Sequence, residues 1–305
     1  MAQAVSGLSL QQPRPSAQGP FEQMGCSPLR SVPVQPDVAP RPGSFHSKNV
    51  VADKLGHGTY ASVYAVSKAE GEAPRFAAKV MDLREDDSGA RKLTEQMVVR
   101  ELQIMKKVAD TGSTFVVHVV ESFREGQYMY IVMEKCDEAL ADALICAENV
   151  TEDMYRPIFR EMLQGLAAIH AVGVVHRDVK PDNFMCSGKG DGRVVKLCDF
   201  GLAKSVAHAD RNELTGVNGT APFMAPEMLG KSRYNAKVDT WSLGVIVYLL
   251  LFGHFPYMPR KWSSAEMKQA IRTGYPAPPF APRVRGHLDE PFEGVVSLEA
   301  EDLAV

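Results

Sequence analysis

No stretch of this chain is long and apolar enough to cross a bilayer. The most apolar run, residues 243–252, is about half the ~20 residues a spanning helix needs, and it reads as a buried helix. The chain also lacks a positive surplus. Its 34 Lys and Arg against 37 Asp and Glu give a net charge of -3, which excludes a protein that relies on a strong positive field to hold nucleic acid or a membrane surface. Cysteine is sparse and odd in number: Cys26, Cys136, Cys146, Cys186 and Cys198, with no CxxC pair. That excludes the usual metal and redox spacings and fits reduced thiols in a cytosolic compartment, so cytoplasm or nucleus is expected. No basic segment followed by an apolar run opens the chain, so no secretory signal is expected.

Residues 1–45 are rich in Pro, Gln and Ser and show neither helical nor strand period. Such a segment cannot bury enough surface to offset its ordering entropy and is expected to be disordered. Met24-Gly25-Cys26-Ser27 resembles the start of an acylation signal, but Leu29 stands where a hydroxyl is needed, and the match reads as an accident in a linker. From residue 46 the pattern changes. Short runs rich in Val, Ala, Tyr and Phe over 49–82, punctuated by Gly and Pro, predict antiparallel strands. A helix is expected over 91–108, then strands near 115–123 and 128–134. Helices are expected near 138–147, 151–172, 235–252 and 263–272, with a short hairpin at 184–198. Strands first and helices later predict an α+β fold of two lobes, a small sheet lobe over 46–134 and a larger helical lobe over 135–305.

Three sites carry chemistry. Residues 54–64 read KLGHGTYASVY, with Gly56 and Gly58 two apart between strands. Glycines there let a backbone approach a polyphosphate and present N–H groups to it. Strand follows strand, so this is no dinucleotide-binding turn, which needs a helix after the loop. Lys79 lies inside the apolar strand FAAKV, where an ammonium needs a partner. Glu101 falls on the apolar stripe Leu93, Met97, Ile104, Met105 and Val108 of the next helix and would serve. The alternative, Lys79 reaching solvent and Glu101 on the helix edge, stays open at this point. Finally, HRDVKPDN at 176–183 and DFG at 199–201 crowd Asp178, Lys180, Asn183 and Asp199 into two loops. Phosphoryl transfer needs hard oxygen ligands for metal ions and a carboxylate that positions a hydroxyl. Asn183 and Asp199 can supply the ligands, Asp178 can accept the proton, and Lys180 can offset phosphoryl charge.

From about residue 49 onward these motifs, in this order, resemble the eukaryotic protein kinase family. The resemblance implies ATP and Mg as cofactors and protein Ser or Thr hydroxyls as acceptors. By resemblance, Leu55, Gly56, His57, Gly58, Thr59, Tyr60, Ala61, Ser62 and Val63 form the nucleotide flap. Val63 and Ala77 form the adenine wall, with Met185 beside the nucleotide. Lys79 binds the α- and β-phosphates with Glu101 as partner; Met133 is the gatekeeper and Glu134 to Cys136 the hinge. Asp178 is the catalytic base, and Asn183 and Asp199 hold magnesium. Met105, Val119, His176 and Phe200 form a stack linking the lobes. Lys180 after Asp178, and Gly219-Thr220 before Ala225-Pro226-Glu227, look like the serine/threonine class. GTAPFMAPE and WSLGVIVYLLLFGHFPY are most similar to the calcium- and calmodulin-dependent group, although no EF-hand loop is present.

The chain departs from the pattern in places. Ala61 replaces the third glycine of the loop. Residues 297–305 resemble the start of a late helix, so by the resemblance the last helices of the larger lobe are expected to be absent from these 305 residues. The arginine that pairs with the family's counterpart of Glu227 is missing with them, so Glu227 is expected to be buried without its partner, at a cost. The corresponding alternative is a catalytically weak nucleotide-binding interaction module. Arg177 before Asp178 suggests switching by phosphorylation of the following loop, by an upstream activator or autophosphorylation, with Thr215 and then Ser205 as candidates. Asp182 and Glu138 would favour substrates with basic residues near the target. No nucleic-acid partner and no transmembrane segment are expected.

Overall fold

The computed structural model describes residues 41–58, 61–84, 95–145 and 152–280. A short helix α1 (Phe45–Lys48) leads into β1 (Val50–His57), β2 (Ala61–Ser67) and β3 (Phe76–Asp82). Helix α2 (Glu95–Ala109) follows, then β4 (Val119–Glu125) and β5 (Tyr128–Glu134). These strands form one antiparallel sheet in the order β1-β2-β3-β5-β4. After it come β6 (Glu138–Ala139), α3 (Leu140–Ile145), α4 (Glu152–Ala171), β7 (Val174–Val175), β8 (Phe184–Ser187), β9 (Val194–Leu197), β10 (Lys204–Ser205), α5 (Lys237–Phe252) and α6 (Ser264–Thr273). This is the predicted α+β plan, with a sheet lobe first and a helical lobe after it.

Local chemistry explains the element ends. Helix α5 is apolar on every side and accordingly buries Leu243, Val245, Ile246 and Leu249. It stops at Gly253, whose φ of 72° puts it in the left-handed region; its N–H closes on the Leu249 carbonyl at 2.8 Å. Helix α6 starts at Ser263, whose hydroxyl accepts the Glu266 N–H at 3.2 Å. Among the described residues no helix is long and apolar enough to cross a membrane. One core runs through both lobes, from Met81 and Ile131 of the sheet and Val98 of α2 to Met162 of α4 and Ile246 of α5.

Three expectations need correction. Residue 45 is not part of a disordered segment: Phe45 is fully buried, stacked on Tyr130 at 4.1 Å between ring centroids and edge-on to Phe123. A single aromatic in a polar segment leaves no periodic signal, yet it pins α1 to the back of β4 and β5. On α2, Met97 is exposed and Val98 takes its place inside, one residue along, in register with Glu101, Met105 and Val108. Glu227 is exposed, because its short 3-10 turn (Pro226–Leu229) turns Met228 inward instead. The expectations for residues 1–40, for Thr59 and Tyr60, for Leu93 and for 281–305 lie outside the described residues.

Candidate active site

The middle of the sheet sets one wall of the site. Val63 pairs with Lys79 and Lys79 with Ile131, while Ala65 pairs with Ala77 and Ala77 with Met133. Directly paired residues share a face, and residues two apart share it too, so Val63, Ala77, Lys79 and Met133 all point to the same side. The glycines lie where β1 turns into β2, the strand that carries Val63. Gly58 donates to the Ala61 carbonyl at 2.8 Å, and Gly56 lies opposite Val63. Among the described residues a methyl group built on Gly56 or Gly58 would meet nothing within 4 Å, and neither residue has a left-handed φ. The fold itself therefore does not require glycine at either position. Their bareness leaves room over the loop for something else. Ala61 is buried in the core, Ser62 is buried beside it, and Leu55 and His57 are exposed.

Lys79 is paired rather than solvent-bound. Its Nζ lies 2.7 Å from Glu101 Oε1 and 2.9 Å from Asp199 Oδ1. Glu101 is buried on α2, so the helix can place a charge there only because Lys79 meets it. Gly201 sits over the trio: a Cβ there would stand 3.4 Å from Asp199 Oδ1, 3.8 Å from Lys79 Nζ and 3.9 Å from Glu101 Oε2. Burial alone would push the Lys79 ammonium down. The charges of Asp199 and Glu101 outweigh it and hold Lys79 above the usual lysine range. In turn the Lys79 ammonium holds the Asp199 carboxyl well below the usual carboxylate range.

The loop 176–183 hangs from helix α5. Asp239, fully buried in its first turn, accepts the His176 N–H through Oδ2 and the Arg177 N–H through Oδ1, each at 2.8 Å. The His170 ring nitrogen Nε2 also lies 2.8 Å from Oδ2. Arg177 has a φ of 67° and donates Nε–H to the Leu202 carbonyl at 2.8 Å. Next along, one oxygen of Asp178, Oδ1, accepts the Thr220 hydroxyl at 2.8 Å, and the other, Oδ2, lies 3.9 Å from Lys180 Nζ. Asn183 Nδ2 donates to the Asp178 carbonyl at 2.8 Å and the Asn183 carbonyl accepts the Cys198 N–H at 2.9 Å, which sets Asn183 beside the strand end that carries Asp199. His176 is buried, with its ring 5.3 Å edge-on to Phe200, which shares the core with Met105 while Val119 packs against it.

The donors here fit a magnesium ion. Asn183 spends its amide nitrogen on Asp178, which leaves Oδ1 as its ligating atom, and Asp199 adds a half-exposed carboxylate. Both are hard oxygen donors. Among the described residues no group of three or more His, Cys, Asp or Glu is arranged for a metal. Two protein ligands suit an ion that completes its shell with phosphate oxygens and water.

The other expected residues are spread more widely. Met133 and Glu134 end β5, and Cys136 follows, its thiol pushed up to about 11 chiefly by burial. Lys135 donates to the Arg75 carbonyl at 3.3 Å and Asp137 to the Cys186 carbonyl at 2.8 Å. Met185 lies on β8 opposite Ala139. Ser205 is exposed on β10, and its hydroxyl accepts from Lys107 Nζ at 2.9 Å. Thr215 is exposed, and its carbonyl accepts the Tyr234 hydroxyl at 3.3 Å. Sequence reasoning missed Asp239 and His170 as supports of the loop. The available signal was a lone carboxylate in the first turn of an otherwise apolar helix.

The family described as the protein kinase domain matches residues 50–303. The calcium/calmodulin-dependent protein kinase type 1 of Caenorhabditis briggsae is 30% identical over 85% of this chain and 67% of its own length. The CDPK-related kinase 5 of Arabidopsis thaliana is 33% identical over 85% of this chain and 40% of its own. The calcium/calmodulin-dependent serine/threonine-protein kinase 1 of Oryza sativa subsp. japonica is 33% identical over 67% of this chain and 33% of its own. The chain thus spans between a third and two thirds of these relatives. A lysine paired to a helix carboxylate, a loop hung from α5 around Asp178, and a match across most of the sequence agree: the chain belongs to the eukaryotic-type protein kinase family, and within it is similar to the calcium/calmodulin-dependent group.

Proposed function

We propose that the chain is a serine/threonine protein kinase that transfers the γ-phosphoryl group of ATP to Ser or Thr hydroxyls of proteins. The observation that carries this is Lys79, held at once by Glu101 at 2.7 Å and Asp199 at 2.9 Å. A cation fixed in this way is aimed at phosphates and cannot wander, which is the positioning that phosphoryl transfer depends on.

In this reading the bare backbone of Gly56 and Gly58 covers the phosphates, and Lys79 binds the α- and β-phosphates. Val63 and Ala77 bound the adenine, and the backbone from Glu134 to Cys136 bonds its edge. Asn183 and Asp199 would hold magnesium, which when bound neutralises phosphate charge. Thr220 donates to Oδ1 of Asp178 at 2.8 Å, whereas Oδ2 receives only a long 3.4 Å contact from Asn183 Nδ2, so Oδ2 is assigned as the oxygen that takes the substrate hydroxyl proton. A bond forms between that hydroxyl oxygen and the γ-phosphorus as the bond to the β,γ-bridging oxygen breaks, and ADP leaves. Lys180, 3.9 Å from Oδ2, offsets the charge on the moving group. Lys180 after Asp178 and Thr220 against Asp178 support the serine/threonine class. Asp182 and Glu138 support substrates with nearby basic residues, and cysteine usage supports a cytoplasmic or nuclear setting.

An ATP/Mg phosphorylation assay with a generic basic peptide, run beside Asp199→Ala, tests this. Transfer by the parent chain and its loss in the variant is the expected result. Equal counts from both would reject the enzyme and favour a nucleotide-binding interaction module.

A further inference from the structure

Glu134 was placed at the hinge for its backbone, but its side chain is fully employed elsewhere. Oε1 accepts the His118 N–H at 2.9 Å, and the Glu134 N–H donates back to the His118 carbonyl at 3.2 Å. The other oxygen, Oε2, lies 2.7 Å from Lys196 Nζ, and the two side chains are only 29% and 13% exposed. Lys196 is on β9, three residues before Asp199. His118 belongs to the link between α2 and β4. That same link is stitched to β9 by Val117 N–H to Leu197 O and Leu197 N–H to Phe115 O, both 2.9 Å. One carboxylate therefore joins the hinge, the segment leaving the helix of Glu101, and the strand leading to the metal-ligand aspartate.

We propose that Glu134 and Lys196 are positioning residues, a joint that fixes β9 against the hinge and so holds Asp199 at its distance from Lys79. Neither side chain has to touch the reacting atoms. The pair crosses from the sheet lobe to the helical lobe on the hinge side, and Lys79–Asp199 crosses on the cleft side. With two struts the strand end has a defined place, and with one it can pivot. A half-buried pair of this kind costs most when one partner is removed and the other is left with its charge.

The inference rests on the kinase reading only for its consequence, and two measurements keep them apart. In the nucleotide-free chain, amide hydrogen exchange over residues 195–201 reads the joint itself. Lys196→Met and Glu134→Gln should each speed exchange there by about threefold or more. Glu134→Gln keeps an oxygen for the His118 N–H and so removes only the charge facing Lys196. The double variant should be no faster than either single one, since both remove the same interaction. Lys196→Arg should restore the parent rate. In calorimetric titration with MgADP, both single variants should bind about five- to tenfold more weakly, with no further loss in the double variant. Unchanged exchange, additive effects in the double variant, or MgADP affinity that is equal or tighter in the single variants would each overturn the proposal. A parent chain that binds no MgADP while the exchange pattern holds would overturn the kinase reading and the positioning of nucleotide, and leave the joint as a structural pair.

Discussion

Asp239 accepts the backbone N–H of Arg177 at 2.8 Å, and Arg177 holds a φ of 67° that a non-glycine residue adopts only when its surroundings enforce it. The carboxylate that imposes this conformation is sixty-two residues away in sequence and fully buried. Asp239→Ala leaves the His176 and Arg177 N–H groups without their acceptor. It is expected to destabilise the chain by about 3 kcal/mol and to abolish transfer. Denaturant unfolding monitored beside activity checks both. A stable but inactive Asp239→Ala would mean that the loop, and not the fold, depends on this carboxylate.

Gly219 backs the loop from the other side. Its φ is +101°, and a Cβ there would stand 2.4 Å from the Arg177 carbonyl and 3.3 Å from Asp178 Oδ1. Gly219→Ala must push Asp178 aside. Turnover should drop by roughly a hundredfold, because a displacement of about an ångström at the reacting atoms costs that much. Full activity in this variant would show that Asp178 is not held where the mechanism needs it.

Gly56 and Gly58 give the opposite combination. None of the described residues lies within 4 Å of a Cβ at either site, so Gly56→Val and Gly58→Val should leave the unfolding midpoint nearly unchanged. The KM for ATP should rise by about tenfold, as the added side chain occupies the space above the loop. A large loss of stability with unaltered KM would assign these glycines to folding alone.

The Lys79–Asp199 pair sets a pH window. The folded Asp199 carboxyl lies below its ordinary value, so its contribution is present above that value and is lost only as pH falls through the lowered one. Lys79 lies above its ordinary value, so its contribution is full below that value and disappears as pH rises through the raised one. Between about pH 5 and 9 neither group changes charge, and nucleotide affinity should be flat with respect to this pair. Titration of MgADP across that range is the check. Lys79→Met and Glu101→Gln should each weaken binding throughout it.

Thr215 is exposed and its hydroxyl is clear of the contacts that hold Asp178. In material allowed to autophosphorylate, Thr215→Ala should lower the specific activity several-fold, and phosphopeptide mapping should lose that site. Unchanged rates would sink the regulatory role of Thr215.

Much of this arrangement was legible because its signals are local. HRDVKPDN and DFG read directly, and strand and helix periods located most elements within a few residues. Glu101 was placed by period alone, even though Met97, counted on the same stripe, turned out to be exposed and Val98 buried. What was not legible depends on contacts across long separations. The lone carboxylate of Asp239 in an apolar helix signals a buried partner, but only the fold shows that the partners are His176 and Arg177. Nothing near Glu134 says that Lys196, sixty-two residues later, will take its free oxygen. Glu227 was misjudged because a family pattern was carried to a turn whose inward residue is Met228. Phe45 was misjudged because composition averages over a segment, whereas one ring in the right place is enough to order a turn of chain.

That ring has a practical consequence for anyone excising the domain. The family match begins at Val50, five residues after Phe45. A protein cut at that boundary would lose the ring stacked on Tyr130 and the His46 ring 2.6 Å from Glu125 Oε2, and would bare the Phe123 and Tyr130 faces to water. Two adjoining aromatic faces on the outside of a sheet invite self-association. The latest safe start is therefore Arg41, whose carbonyl accepts the Ser44 N–H ahead of the helix.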